Sequence, residues 1–177
     1  MSKNSNKNTN DDTHTIAVLV ENKFGVLAKV ASLFSARGYN IDSLCVGVTQ
    51  DPSVSRITLV TRGDAKILEQ IRKHLSKLID TFKVMDMGET DSVEREMILI
   101  KISAPKAARP EIFQIIDVFR GRVVDVSTDT ITVEVTGDEG KIQAILNLLQ
   151  PFGIKEIART GKVALTRGAK TLKGAKN

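Results

Sequence analysis

Cysteine, tryptophan and tyrosine are almost missing from this 177-residue chain, which holds one Cys, no Trp and one Tyr. With Cys45 alone, no disulfide can close within the chain and no Cys-based metal site can assemble, as expected of a protein in a reducing compartment. His14 and His74 lie far apart and lack metal-ligand spacing. Long apolar runs are absent too: residues 16–20 and 97–100 are the longest, against the roughly 20 residues of a membrane-spanning helix. The N-terminus is polar, unlike a signal peptide. These absences predict a cytoplasmic protein that neither crosses nor enters a membrane.

Catalytic constellations are absent as well. No Ser, His and Asp set stands at recognisable spacing, and Cys45 has no nearby His. Gly140 with Lys141 and Gly161 with Lys162 resemble phosphate loops, but Val135 and Glu156 occupy the upstream glycine positions. The expectation is therefore no catalytic residue, no metal site and no cofactor in this chain. The net charge of +5 suggests nucleic acid until it is located. Arg159, Lys162, Arg167, Lys170, Lys173 and Lys176 all follow the last acidic residue, Glu156; residues 1–156 hold 20 basic against 21 acidic groups. The body is nearly neutral, and the basic end reads as a solvated tail rather than a nucleic-acid arm.

What is present is a repeated plan. Ile16, Val18 and Val20 alternate as in a strand; Val26, Leu27, Val30, Ala31, Leu33 and Phe34 then recur at helical spacing up to Gly38, a left-handed cap. Strands follow at Leu44, Val46 and Val48 and at Ile57 and Leu59, across a turn at residues 50–53. Asp64 caps a helix with one apolar face, and residues 82–87 form a last strand. After a polar joint the order restarts: Ile98, Ile100 and Ile102 alternate, Pro110 opens a helix that Gly121 terminates, a hairpin crosses residues 127–129, Asp138 caps a second helix, and residues 154–158 return as a strand. Phe34, Arg37, Gly38, Ile41 and Asp42 resemble Phe119, Arg120, Gly121, Val124 and Asp125.

The fold class is thus α+β, two ferredoxin-like βαββαβ modules. The expected division is a disordered leader at 1–13, a first module at 14–88, a linker at 89–93, a second module at 94–165 and a basic tail at 166–177. The strands are apolar at both parities, so the sheet face away from the helices wants a cover, from an oligomer, the other module or a partner.

The most pointed feature is the bend between the first strand and helix, where Asn22, Gly25, Val26 and Leu27 precede Asn40 and Ile41 after the helix. Backbone amides at a helix start attract anions, and glycine admits a carboxylate closely. Each residue also has a structural reading: Asn22 as a cap, Gly25 as relief of crowding, Asn40 as a polar residue after a left-handed glycine, and Val26, Leu27, Ile41 and Leu44 as core.

Residues 14–44, the turn at 50–53 with Arg56, the run Val93, Glu94, Arg95, Glu96, the corner Phe119, Arg120, Gly121 and the end Ala158, Arg159, Thr160, Gly161 resemble the small regulatory subunit of acetolactate synthase. The first module looks like an ACT domain, the second like that family's C-terminal ACT-like domain. Many ACT domains carry Pro before the glycine, where this chain has Phe24. The resemblance implies binding to the large catalytic subunit, whose cofactors are thiamine diphosphate, Mg and FAD, activation of it, and feedback inhibition by valine or another branched-chain amino acid. It also implies a homodimer through the ACT domains, with Asn22 and Asn40 meeting across the interface to bind the effector with Gly25, Val26, Leu27 and Ile41. Two other readings share the topology. An RNA-binding module would need stacking aromatics on its inner strands, and residues 16–20 and 56–61 have none. A small acylphosphatase-like enzyme would need a catalytic set that is missing.

Overall fold

The computed structural model describes residues 13–169, 171 and 172. The leader expected at 1–13 lies outside them except Thr13, and so do Lys170 and residues 173–177 of the expected tail. The described chain divides into two compact units: residues up to Val93 joined by those from Ala164 onward, and residues Glu94–Val163.

The first unit runs β1 (Thr13–Glu21), α1 (Val26–Arg37), β2 (Ser43–Val48), β3 (Val54–Arg62), α2 (Ala65–Ser76) and β4 (Thr81–Asp86). Its antiparallel sheet has the order β2-β3-β1-β4. Alternation in β1 and β3 sends Ile16, Val18, Val20, Ile57 and Leu59 to one face, where Val26, Val30 and Phe34 of α1 and Leu68, Ile71 and Leu75 of α2 bury against them. The cap at Asp64 forms as expected, its side chain accepting from the Ile67 N–H at 2.8 Å.

The second unit holds most of β5 (Ser92–Ser103), then α3 (Arg109–Val118), β6 (Arg122–Val126), β7 (Thr130–Gly137), α4 (Glu139–Leu149), a short 3-10 turn (Gln150–Phe152) and β8 (Ile154–Arg159). Its strand order β6-β7-β5-β8 reproduces the first, and the core is again an apolar sheet face under two helices. Even the irregularities repeat. The register with the last strand shifts at Leu19/Val20 in β1 and at Lys101/Ile102 in β5, in both cases near the strand's end. Asp138 caps α4 by accepting from the Lys141 N–H at 2.8 Å.

Gly121 does not end its helix by a left-handed turn. That conformation falls one residue earlier, on Arg120 at φ 51°. Gly121 is required for closeness instead: a Cβ there would stand 3.1 to 3.3 Å from Ile116, Val135 and Val133. Gly38, by contrast, is left-handed at φ 68° and caps α1 as expected.

A further strand, β9 (Val163–Thr166), pairs with β5 and has no counterpart in the sequence reading. From Ala164 the chain returns to the first unit, where Ala164 buries with Ala17 and Met87, and Met85 and Leu172 pack alongside. The basic end is therefore not simply a solvated tail. Arg167 pairs with Asp91 at 3.1 Å, Arg159 with Glu96 at 3.5 Å, and Lys162 with Glu94 and Glu139 at 3.1 and 3.2 Å. Carboxylates close in space but distant in sequence neutralise that stretch of charge. The far face of the first sheet thus receives cover from the chain's own later residues.

Candidate functional site

The candidate site is the bend that joins β1 to α1. Gly25 is the N-cap of α1, in the left-handed region at φ 84°, and no side chain caps the helix. A Cβ built on Gly25 would meet nothing within 4 Å, so the bend faces open space. Glycine is needed there for its backbone conformation, since a left-handed residue with a side chain costs about 1–2 kcal/mol. The result is a helix start whose N–H groups and dipole face an unobstructed approach.

The bend is held from two sides. On one, the Asn22 N–H donates to the Ser53 carbonyl at 2.7 Å and Asn22 Nδ2 to the Pro52 carbonyl at 2.8 Å. That turn is itself tied by Asp51, which accepts from the N–H and hydroxyl of Ser53 at 2.8 and 2.7 Å. On the other side stands Asp80, between α2 and β4, with its side chain only 3 % exposed. Its carboxylate takes Lys23 Nζ at 2.7 Å and Lys29 Nζ at 2.5 Å, and its carbonyl accepts the Glu21 N–H at 2.8 Å. Lys23 also reaches Glu21 at 2.8 Å.

Asp80 gives no sign of this role in the sequence, because a lone acid after a helix is ordinary. Only the fold brings it beneath two lysines that flank Gly25. The hydrogen bond from Lys23, then that from Lys29, holds the Asp80 carboxyl below its ordinary value of 3.8, against the opposing effect of burial. Lys23 is correspondingly raised, first by Asp80 and then by Glu21. A depressed carboxylate pKa stabilises the fold above the unfolded value and loses that contribution as pH falls through the folded one. Chemical denaturation between pH 7 and pH 2 is expected to show wild-type stability falling below about 3.8, with a shallower acid limb and lower neutral-pH stability for Asp80→Asn. Identical acid limbs for the two chains would contradict the role given to Asp80.

The remaining site residues are placed as follows. Val26 is buried in the first core, and its N–H makes only a long bond to the Lys23 carbonyl at 3.5 Å; Leu27 is exposed beside it. Phe24 is fully exposed at the tip. Ile41 and Leu44 are half-buried against the first core. Asn40 lies past the other end of α1, where its Nδ2 donates to Asp42 at 2.5 Å and its carbonyl accepts from Thr61 Oγ1 at 2.6 Å. The 12 residues of α1 separate Asn22 from Asn40, about 18 Å at the helical rise. One chain therefore brings Asn22 and Gly25 together but not Asn40.

His74 on α2 is pushed below its ordinary 6.5 by desolvation, then by Arg37 and Lys77. Its Nδ1 is buried without a hydrogen-bond partner among the described residues. Among the described residues no group of three or more His, Cys, Asp or Glu could hold a metal ion, and no helix is long and apolar enough to cross a membrane. The site offers backbone donors and amides, which suit binding rather than bond making.

Two family models match this chain. Residues 16–83 match the "AHAS small subunit-like ACT domain", and residues 95–168 match the "Small subunit of acetolactate synthase". A probable acetolactate synthase small subunit of Archaeoglobus fulgidus is 56 % identical over 157 residues, covering 89 % of this chain and 98 % of that one. The acetolactate synthase small subunit of Mycobacterium bovis is 48 % identical over 164 residues, 93 % of this chain and 98 % of its relative. The crystal structure of the small subunit from Thermotoga maritima superposes with a TM-score of 0.81 at 43 % identity, covering 89 % of this chain and 98 % of that one. Family models over both modules, relatives matched nearly end to end and a shared two-module fold agree: the chain belongs to the acetolactate synthase small-subunit family, as a regulatory subunit with an ACT domain, and catalysis is the work of the large subunit.

Proposed function

We propose that this subunit binds the large catalytic subunit, raises its activity and makes it sensitive to valine or another branched-chain amino acid bound at the Gly25 bend. The observation that carries the reading is the left-handed, uncapped and unobstructed Gly25 at the start of α1. The effector's α-carboxylate would accept from the N–H groups of Gly25, Val26 and Leu27, with Asn22 beside them supplying an amide that can donate or accept. Leu27 of one chain and Ile41 of a second copy, beside that copy's Asn40, would line the aliphatic side chain. Thiamine diphosphate, Mg and FAD would belong to the large subunit.

The length of α1 supports a two-chain site. Asn40 is too far from Asn22 to reach the same amino acid within one chain, so its participation needs a second copy, paired through the ACT domains. An effector bridging two chains favours the dimer geometry that brings its ligands together, and such coupling is typically about 1–3 kcal/mol.

Calorimetry of the full chain with valine, isoleucine and leucine, followed by assay of the large subunit with and without this chain, tests the reading. The expected result is saturable binding of at least one of the three, no turnover by this chain alone, and higher, effector-sensitive activity of the mixture. No binding of any of them, or no change in large-subunit activity, would overturn it.

A further inference from the structure

Arg56 is a half-buried cation that stands next to no carboxylate among the described residues. Desolvation lowers its proton affinity, as expected for a guanidinium taken partly out of water without a counter-ion. Its compensation is a backbone carbonyl: Arg56 Nη2 donates to the Ala164 oxygen at 2.6 Å. Ala164 is itself buried against Ala17 and Met87 on the far face of the first sheet. A segment distant in sequence, residues 164–169 with Thr171 and Leu172, thus lies on the unit that contains the bend.

We propose that this segment is a regulatory strap: seated, it fixes Arg56 and the far face of the first sheet, and released, it loosens the strands that position Asn22 and Gly25. The register supplies the connection. Arg56 on β3 lies opposite Leu19 of β1 on one side and Gly47 of β2 on the other. Two residues earlier, Val54 faces Glu21, and the preceding Ser53 and Pro52 carbonyls hold the N–H and side chain of Asn22. Arg56 therefore joins the strap to the strand pair that ends at the bend.

The attachment is light enough to open locally. Ala164 is small, Val163 and Leu165 on either side of it are exposed, and the other anchors include the pairing of β9 with β5, Leu172, the exposed Arg167–Asp91 pair and the Arg167 N–H on the Asp91 carbonyl at 2.9 Å. Few buried contacts and exposed hydrogen bonds mark the low end of local stability, whereas β1, bonded on both sides, sits at the high end.

Hydrogen exchange on the full-length chain, on Ala164→Glu, on Arg56→Gln and on a chain ending at Val163 tests the strap without reference to any effector. Ala164→Glu and the shortened chain are expected to exchange about tenfold faster at amides 17–22 and 52–58, with β7 and α4 unchanged, as for a local rather than global opening. Arg56→Gln, which cannot offer the same charged donor, is expected to fall between. Unchanged rates in 17–22 and 52–58 for all three variants would overturn the strap, as would acceleration spread equally over both units in Arg56→Gln. The link to regulation rests on the reading of the bend as an effector site, and valine calorimetry on the same proteins separates the two. Faster exchange with several-fold weaker valine binding supports both parts. Faster exchange with unaltered binding overturns the regulatory part, and absence of binding even by the full-length chain overturns the effector reading while leaving the strap in place.

Discussion

A Gly25→Asp chain mixed with the large subunit is expected to activate it as the wild type does while losing inhibition by the effector, a loss of about 5- to 150-fold in coupling. The conformational cost is modest. Gly25 is left-handed at φ 84°, a region where Asp is better tolerated than most residues, and its Cβ would enter open space. What changes is the charge at the helix start. An aspartate at the N-cap position brings its own carboxylate to the donors that an effector carboxylate would use, and like charges exclude each other there. Gly25→Ala separates the two effects, since it adds the backbone strain without the anion, and is expected to weaken inhibition only partly. The check is the activity of the reconstituted enzyme against effector concentration for all three chains. Unchanged effector sensitivity in Gly25→Asp would remove the bend from the mechanism.

Phe34→Ala is expected to cost about 3–5 kcal/mol in urea or guanidinium unfolding. Phe34 is a large, fully buried side chain at 1 % exposure, and it meets the ring of Tyr39 edge-on at 5.9 Å between centroids. Its carbonyl also accepts the Tyr39 N–H at 3.0 Å, just past the left-handed Gly38. The substitution therefore empties the middle of the first core and loosens the end of α1 from which Asn40 departs. Against a typical total of about 5–15 kcal/mol, a loss of that size leaves the first unit marginal. Because the chain has two units, the expected signature is an earlier transition in the first with the second little altered, followed by probes in each. A loss under about 1 kcal/mol would mean that the first core refills the space.

Much of the scaffold is legible in residue order because its cause is periodic. Ile16, Val18 and Val20 alternate and bury together on one face, and Ile98, Ile100 and Ile102 do the same in the second unit. Asp64 and Asp138 cap helices because a short side-chain oxygen reaches the N–H three residues on, a local event. Gly121 was legible as a break but not in its role, since its tight approach to Val133 and Val135 depends on a neighbouring strand. The ion pairs of Arg159, Lys162 and Arg167 were not legible for a similar reason. Charge in a run of sequence says nothing of the carboxylates that meet it in space, and Glu94, Glu96 and Asp91 are remote from Lys162, Arg159 and Arg167 along the chain.

The residue order alone determined two βαββαβ modules and the placement of glycine where a helix begins, because short-range pattern and residue type carry that information. Tertiary structure alone decided that Asp80 grips both lysines beside Gly25 and that Ala164 and Leu172 pack on the first sheet. Those are contacts between positions far apart in the chain, and which distant groups meet is set by how strands and helices pack, which no local pattern encodes.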